Sequence, residues 1–277
     1  MLTCYPSAGK RKARKVCDAF AAGCGGRVAP PDCATLAPGA AFFYGWTAHT
    51  ARLIAECEAQ RRDWFYADNA YWFGRGDYFR VTRGALMHDG RGSAPGGRVA
   101  RFGLAPRPWR KTGRHVVVAT QSELFYRLHL GVTRAQWTER VVAELKRRTA
   151  RPVAVCDKPE AKYLARGQAH SPALAPLLAE AWAVVAYSSS VLVQALLAGV
   201  PVFSLGPSMA SCMGRAELAR IETPAYPDDR LRWLQVLAAN QWTREEMRGG
   251  TCWKALTSGE VDGRRLAPAD SPTRPPR

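Results

Sequence analysis

The sequence predicts an α/β fold made of two Rossmann-like halves that face each other across a cleft. Apolar runs of strand length alternate with amphipathic helical segments twice, over residues 1–107 and again over 108–257. The basic segment RPWRKTGR, at 107–114, is typical of a linker between such halves. After Thr257 the chain turns polar and rich in proline, so we expect a disordered tail over 258–277.

Three apolar runs predict the strands of the N-terminal half, at 1–6, 40–46 and 63–69. Apolar residues at helical spacing predict two helices between them, one ending at Gly23 or Gly25 and one over 49–61. The segment 70–113 is rich in glycine, arginine and aromatic residues, which predicts a long basic loop. Within it, YFRVTRGAL at 78–86 predicts an edge strand.

Strand patterns in the C-terminal half occur at 115–121, 152–159, 183–187 and 202–205. Helical patterns lie between them at 137–148, 174–182 and 191–198. IETP, at 221–224, predicts a short strand-like exit from this half. DDRLRWLQVLAANQ and TREEM predict closing helices, and Thr243 and Glu246 have the spacing of a capping box.

A serine-rich turn in residues 182–206 is the strongest functional signal. AVVAY predicts a buried strand, Ser188, Ser189 and Ser190 follow at once, and a helix then ends at Gly199. A parallel strand–helix–strand unit brings such serines to the carboxyl edge of the sheet, where open α/β sheets bind ligands. The positive end of the helix favours a phosphate there. The alternative is that the serines only cap the helix.

The stretch SSSVLVQALLAGVPVFSLG, at 188–206, resembles the donor-side motif of GT-B glycosyltransferases, and most closely that of capsule-polysaccharide and Kdo-transferase-like enzymes. This resemblance covers roughly the C-terminal half. Most of the chain also resembles a group of uncharacterised bacteriophage and prophage proteins, through segments 64–90, 108–127 and 240–253. Together they imply a phage-type, GT-B-like transferase that binds its donor on the C-terminal half.

We expect the donor site to consist of polar residues that follow strands of the C-terminal half. They are Gln121, Ser122, Lys158, Ser188, Ser189 and Ser190. Hydrogen-bond donors and a lysine can offset the charge that grows on a nucleotide leaving group. Glu222 enters only through the resemblance, as a contact to the donor ribose. Because no DxD motif is present, we expect transfer without a metal and without a cofactor other than the nucleotide-sugar co-substrate.

The acceptor hydroxyl must lose a proton as it attacks, so the N-terminal half should supply a general base. Asp68 is the first candidate because it stands at the carboxyl end of a predicted strand, and Asp77 and His88 are the next. For Asp68 the alternative is an Asx turn or cap. Contacts to the acceptor or to nucleic acid are assigned to three arginines of the basic segment: Arg75, Arg80 and Arg83. The aromatic residues near them either stack on a ligand or close the core.

Composition limits the class of protein. Forty Lys and Arg residues against 23 Asp and Glu give a net charge of +17, which attracts polyanions such as DNA or an anionic glycan. The alternative is a genome of high GC content, which enriches arginine at solvated positions.

The eight cysteines form no CxxC pair, so we expect reduced thiols and no metal site. No apolar run has the length of a membrane span, and the order of the first residues differs from a secretory signal, so we expect the cytoplasm, that of the host cell if the protein is phage-encoded.

Two interpretations from different classes follow. The first is a glycosyltransferase that moves a sugar from a nucleotide-sugar donor to an acceptor hydroxyl, on modified phage DNA or on a glycan. The second is a non-catalytic, basic, nucleic-acid-binding phage protein that keeps the fold and has lost the reaction.

Overall fold

The computed structural model describes residues 1–72, 78–92, 94, 97–158 and 174–258. Arg75, Asp77 and the predicted tail beyond Ser258 lie outside the described residues. The described chain is mixed α/β, with two sheets that contain parallel strands. None of the helices in these ranges combines the length and the apolar character that crossing a bilayer requires.

The chain divides into two units. Unit 1 is drawn from residues 1–69, 77–88 and 240–277, and unit 2 from 70–76 and 89–239. The described residues after Asn240 therefore pack with the N-terminal strands, whereas the sequence assigns them to the C-terminal domain. The division at 107/108 into separately folding domains, and the facing of two halves across a cleft, stay predictions.

The sheet of unit 1 has six strands in the described residues. They are β1 (Leu2–Tyr5), β2 (Arg27–Val28), β3 (Ala40–Tyr44), β4 (Trp64–Asn69), β5 (Tyr78–Arg83) and β10 (Gln241–Thr243). The order is β10-β5-β4-β3-β1-β2. The first four strands pair in parallel, while β5 runs antiparallel to both β4 and β10. The chain places β2 on one side of β1 and β3 on the other.

The described residues of unit 1 form four helices: α1 (Arg11–Cys24), α2 (Ala48–Ala59), α9 (Arg244–Arg248) and α10 (Thr251–Ser258). The apolar face of α1 packs on the sheet, and the Phe20 and Phe42 rings stack at 4.0 Å between centroids. Gly23 allows α1 to approach α9, because a Cβ there would lie 1.8 Å from the Met247 carbonyl oxygen. The helix then ends at Gly25, which adopts a left-handed φ of 64°.

The sheet of unit 2 is parallel throughout. Its strands are β6 (His115–Ala119), β7 (Val153–Cys156), β8 (Ala181–Ala186) and β9 (Val202–Ser204), in the order β7-β6-β8-β9. β6 and β8 are paired with Val117 opposite Val184. Because the chain passes from β6 to β7 on one side and then to β8 on the other, the strand order reverses between β6 and β8. This point is the topological switch point of an open α/β sheet.

In the part of unit 2 that the structure describes, the α-helices are α3 (Arg98–Phe102), α4 (Glu123–Phe125), α5 (Arg134–Lys146), α6 (Leu174–Ala179), α7 (Val191–Leu197) and α8 (Arg230–Ala239). α4 continues directly into a π-helix, Tyr126–Leu130, which ends at Gly131. The serine-rich turn lies between β8 and α7, so the strand–turn–helix–strand unit predicted there is confirmed. The predicted capping box is also confirmed, with Thr243 Oγ1 accepting from the Glu246 N–H at 3.1 Å.

Two predictions about local structure are wrong. YFRVTRGAL is not an edge strand, because β5 lies between β4 and β10. β10 has only three residues, too few for an alternating pattern, and the predicted closing helices include its first residue, Gln241, and its last, Thr243. IETP is not a strand either: Ile221 follows a 3₁₀-helix, Leu218–Arg220, and the Thr223 N–H closes a turn by donating to the Arg220 carbonyl at 2.9 Å.

Candidate functional site

At the switch point of unit 2, Gln121 and Ser188 form a reciprocal pair of hydrogen bonds. Each residue stands two positions after its strand, β6 or β8. Gln121 Nε2 donates to Ser188 Oγ at 3.2 Å, and the Ser188 N–H donates to Gln121 Oε1 at 3.3 Å. Ser188 is buried, at 3% exposure, while Gln121 is half-buried. Two of the predicted donor residues are thus brought together, and they fix the β6 and β8 loops to each other.

Ser189 and Ser122 act as caps. Ser189 Oγ accepts from the Val191 N–H at 3.3 Å, and backbone carbonyls of the serine turn accept from the next two N–H groups of α7. The first turn of α7 therefore has fewer open donors than the sequence suggests, and for Ser189 the capping alternative holds. Ser122 Oγ likewise accepts from the Phe125 N–H at the start of α4. The half-buried Ser190 makes no side-chain hydrogen bond within the described residues.

Lys158 reaches the same edge from β7. Its backbone N–H donates to Thr120 Oγ1 at 3.1 Å, and Thr120 Oγ1 donates to Asp157 Oδ1 at 2.9 Å, so these bonds tie the β7 loop to the β6 loop. The Lys158 side chain is exposed. Neighbouring strands lie about 5 Å apart, so the β7, β6 and β8 loops form one continuous rim of about 10 Å. Sequence reasoning missed Thr120 and Asp157 because a contact between loops depends on strand order.

An aromatic cluster stands beside the Gln121–Ser188 pair. Tyr187 lies directly before Ser188, and its ring centroid is 5.8 Å from that of Phe125 and 5.7 Å from that of His129. A Cβ on Gly206 would lie 2.3 Å from Tyr187 Cζ, so only glycine lets the ring occupy this position. The sequence signal for this cluster is weak, because Tyr187 follows Phe125 and His129 by more than fifty positions along the chain.

Glu222 does not join this edge. Its carboxylate accepts from Thr149 Oγ1 and from Arg151 Nε, the latter at 3.2 Å. Arg151 also donates to the Gly113 carbonyl at 2.6 Å and lies over the Trp182 ring. These neighbours precede or begin strands β6, β7 and β8, so Glu222 lies at the amino edge of the sheet, opposite the edge that carries Ser188. The structure separates it from the rest of the predicted donor set, because residues 205–222 return to the other end of the strands.

In unit 1, Asp68 is the penultimate residue of β4, at the carboxyl edge of the six-stranded sheet. Its Oδ2 accepts from Arg80 Nη2 at 3.0 Å and from the Tyr66 hydroxyl at 3.2 Å, and its Oδ1 accepts from the Asn69 N–H at 2.7 Å. The side chains of Arg80 and Asp68 are 12% and 26% exposed. Asp68 is therefore a well-ordered, partly accessible carboxylate paired with one of the arginines assigned to the acceptor.

The remaining predicted residues of unit 1 are not gathered around Asp68. Arg83 makes two 2.9 Å hydrogen bonds to Asp63, the residue before β4, so this pair lies at the opposite edge of the sheet. His88 is buried at 5% exposure. Phe79 is also buried, as are Tyr71 and Trp72 of unit 2, which matches the alternative that these rings close the core.

Lys12 and Tyr44 are additional polar neighbours of the Asp68 strand end. Lys12 Nζ donates to Asn69 Oδ1 at 2.6 Å, and the Tyr44 hydroxyl donates to the same oxygen at 3.3 Å. Desolvation lowers the pKa of Lys12, an effect that Asp68 opposes and Arg244 reinforces. The basic run at the start of α1 signals Lys12 in the sequence, but its partner follows from the adjacency of β1, β3 and β4.

No protein-family model and no curated protein matches the chain. Among solved structures, it is similar to KpsC β-Kdo 2,4 transferase from Thermosulfurimonas dismutans, with 13% identity and a TM-score of 0.49 over 86% of this chain and 89% of that one. It is also similar to KpsC β-Kdo 2,7 transferase from the same organism, with 13% identity and a TM-score of 0.47 over 91% of this chain and 98% of that one.

Proposed function

We propose that the protein is a glycosyltransferase that moves a sugar from a nucleotide-sugar donor to an acceptor hydroxyl. The observation that carries the proposal is the Gln121–Ser188 pair at the switch point between β6 and β8. Open parallel sheets bind ligands at the carboxyl ends of their strands where the strand order reverses. The turn of β8–α7–β9, whose sequence resembles the donor motif of GT-B enzymes, stands at this edge.

The groups at this rim suit a phosphate-bearing leaving group. Gln121 Nε2 has two N–H donors and gives one to Ser188, so the second remains for a ligand. The Ser190 hydroxyl and the exposed Lys158 ammonium add a neutral and a charged donor from neighbouring loops. Donors that are already held in position stabilise the charge that develops when the sugar–phosphate bond breaks.

For the acceptor side we keep Asp68 as the proposed general base. A base must be ordered and within reach of the proton it removes, and the contacts with Arg80 and Tyr66 fix the Asp68 carboxylate while leaving a quarter of it exposed. The acceptor hydroxyl belongs to a glycan or to modified DNA. Asp77 and His88 are the alternatives to Asp68, one outside the described residues and the other buried.

A thermal-shift screen of UDP-, GDP-, CMP- and dTDP-sugars tests the proposal on the full chain. A donor present at a hundred times its dissociation constant should stabilise the protein by about 2.7 kcal/mol, which is a shift of several degrees. Nucleotide release from the donor that binds then measures turnover. The absence of a shift from all four classes would contradict the proposal.

One observation favours the second candidate, a protein that binds nucleic acid. Residues at the start of α1 form an exposed basic cluster: Lys10, Arg11, Lys12, Arg14 and Lys15. The first turn of α1 contains no acidic residue, so these charges lie unfavourably at the positive end of the helix dipole. A polyanion would relieve that repulsion.

Replacing Arg11 and Lys15 with glutamine distinguishes this candidate. If the cluster holds DNA, the slope of log affinity against log salt for a DNA duplex should become shallower by about 2, since each lost phosphate contact removes about 0.9. Fluorescence anisotropy at several salt concentrations measures the slope. The DNA-binding protein is favoured over the enzyme if the salt slope becomes shallower in this variant and no nucleotide sugar shifts the melting temperature of the native protein.

A further inference from the structure

The segment after β6 has unusual backbone geometry at the switch point. α4 has three residues and passes into the five-residue π-helix Tyr126–Leu130. π-Helices are rare, and they are found disproportionately at functional sites. Leu124 and Leu128 are 43% and 42% exposed, so this segment presents apolar surface to solvent next to the Gln121–Ser188 pair.

The Tyr187 ring is held in one position by its neighbours. Phe125 and His129 stack on each other at 5.0 Å with an interplanar angle of 30°, and both contact the Tyr187 ring. The backbone of Gly206 supports the ring, since a Cβ at Gly206 would lie within 2.7 Å of three of its carbons. The Gly206 N–H also donates to the Tyr187 carbonyl at 3.0 Å. The segments after β6, β8 and β9 therefore hold the rings of Phe125, His129 and Tyr187 in place, and these three rings form an aromatic wall.

The wall offers a polar group as well as ring surface. Tyr187 is half-buried, and its hydroxyl makes no hydrogen bond within the described part of the chain. Burial raises the pKa of Tyr187, so the hydroxyl keeps its proton at neutral pH and can donate a hydrogen bond. An aromatic face of this kind matches a planar ligand ring, and the hydroxyl adds one hydrogen-bond donor beside it.

We propose that Tyr187, supported by Phe125 and His129, binds the nucleobase of the donor while the Gln121–Ser188 edge binds its phosphate. This inference rests on the proposed function and adds the part of the site that recognises the base. Tyr187 and Ser188 are adjacent in the chain, so base and phosphate subsites are separated by a distance that one nucleotide spans. Base–aromatic stacking is tolerant of base identity, so the wall contributes affinity for any base.

The test compares nucleoside monophosphates with ribose 5-phosphate, which has the same phosphate and sugar and no base. We expect at least one of CMP, UMP, AMP and GMP to bind the full chain about tenfold more tightly than ribose 5-phosphate in isothermal titration calorimetry. Tyr187→Leu should remove most of that difference and leave ribose 5-phosphate binding unchanged. Tyr187→Phe should keep the difference, because the ring remains.

Tyr226→Leu is the matched control, since Tyr226 is also half-buried in unit 2 but contacts Trp109 instead of the switch point. It should retain the preference for nucleotides. If Tyr187→Leu fails to fold, His129→Ala tests the same wall from an exposed position and should reduce the preference.

The outcomes distinguish a failure of the base subsite from a failure of the proposed function. Equal binding of ribose 5-phosphate and all four nucleotides would overturn the base subsite and leave the phosphate site intact. A preference for nucleotides that survives Tyr187→Leu and His129→Ala would also overturn it. If no nucleotide, sugar phosphate or nucleotide sugar binds at all, the proposed function itself fails.

Discussion

Gln121→Leu is expected to weaken donor binding by at least tenfold and to lower the free energy of unfolding by about 1–3 kcal/mol. Leucine preserves the approximate size of the side chain but removes both partners of Ser188. The Ser188 hydroxyl and N–H, in a residue that is only 3% exposed, would then lose bonds that water does not easily replace. The free N–H of the Gln121 amide, which is available to the donor, disappears as well.

Donor titration by calorimetry and urea unfolding measure the two effects separately. Gln194→Leu is the matched control: Gln194 is half-buried on α7, and its side chain makes no hydrogen bond within the described residues. It should change neither quantity by much. Donor affinity that is the same in Gln121→Leu and in the native protein would remove the switch point from the binding site, even if stability falls.

The double variant Gln121→Leu with Ser188→Ala shows whether the two residues act as a unit. Because each single change already breaks the reciprocal contact, the effects on stability should not add, and the coupling should amount to about 0.5–3 kcal/mol. Additive effects would mean that the contact contributes little and that each residue acts alone. The cycle therefore tests the geometry at this edge independently of any ligand.

Short-range features of this fold were predictable from the sequence. The β8–α7–β9 unit depends on an apolar run, a serine turn and a glycine within 24 residues, and the structure contains it as expected. The capping box at Thr243 depends on residues three apart. In both cases the physical cause lies in neighbouring residues, so no knowledge of strand order is needed.

Features that depend on strand order were not predictable. Gln121 and Ser188 were expected at the same edge, but their direct hydrogen bonds, between residues 67 positions apart, require that β8 lies beside β6, which short-range patterns do not indicate. Glu222 is misplaced for the same reason, since nothing in residues 205–222 indicates that the chain returns to the amino edge before that residue. β10 belongs to unit 1 although it follows the whole of unit 2, and a three-residue strand has no periodicity to detect.

Asp68→Asn is expected to reduce turnover by about 10²–10⁴-fold, the contribution of a positioned general base, while donor affinity changes less than twofold. The single amide oxygen of asparagine can replace Oδ2, which accepts from Arg80 and Tyr66, or Oδ1, which accepts from the Asn69 N–H, and it cannot take the proton of the acceptor hydroxyl. The loss of negative charge beside Arg80 should also lower the free energy of unfolding by about 1–2 kcal/mol, because this ion pair is mostly shielded from solvent.

Asp63→Asn separates the loss of the general base from the loss of an ion pair. Asp63 pairs with Arg83 in the same sheet, at the other end of β4. This pair is more exposed, with side chains at 41% and 33%, so the stability loss should be smaller and turnover should stay at the native rate. Turnover is followed as nucleotide release at saturating donor, and stability by urea unfolding of the same samples. If both variants lose stability and neither loses turnover, Asp68 is a structural partner of Arg80, and the base must be sought among the other acidic and imidazole groups of unit 1.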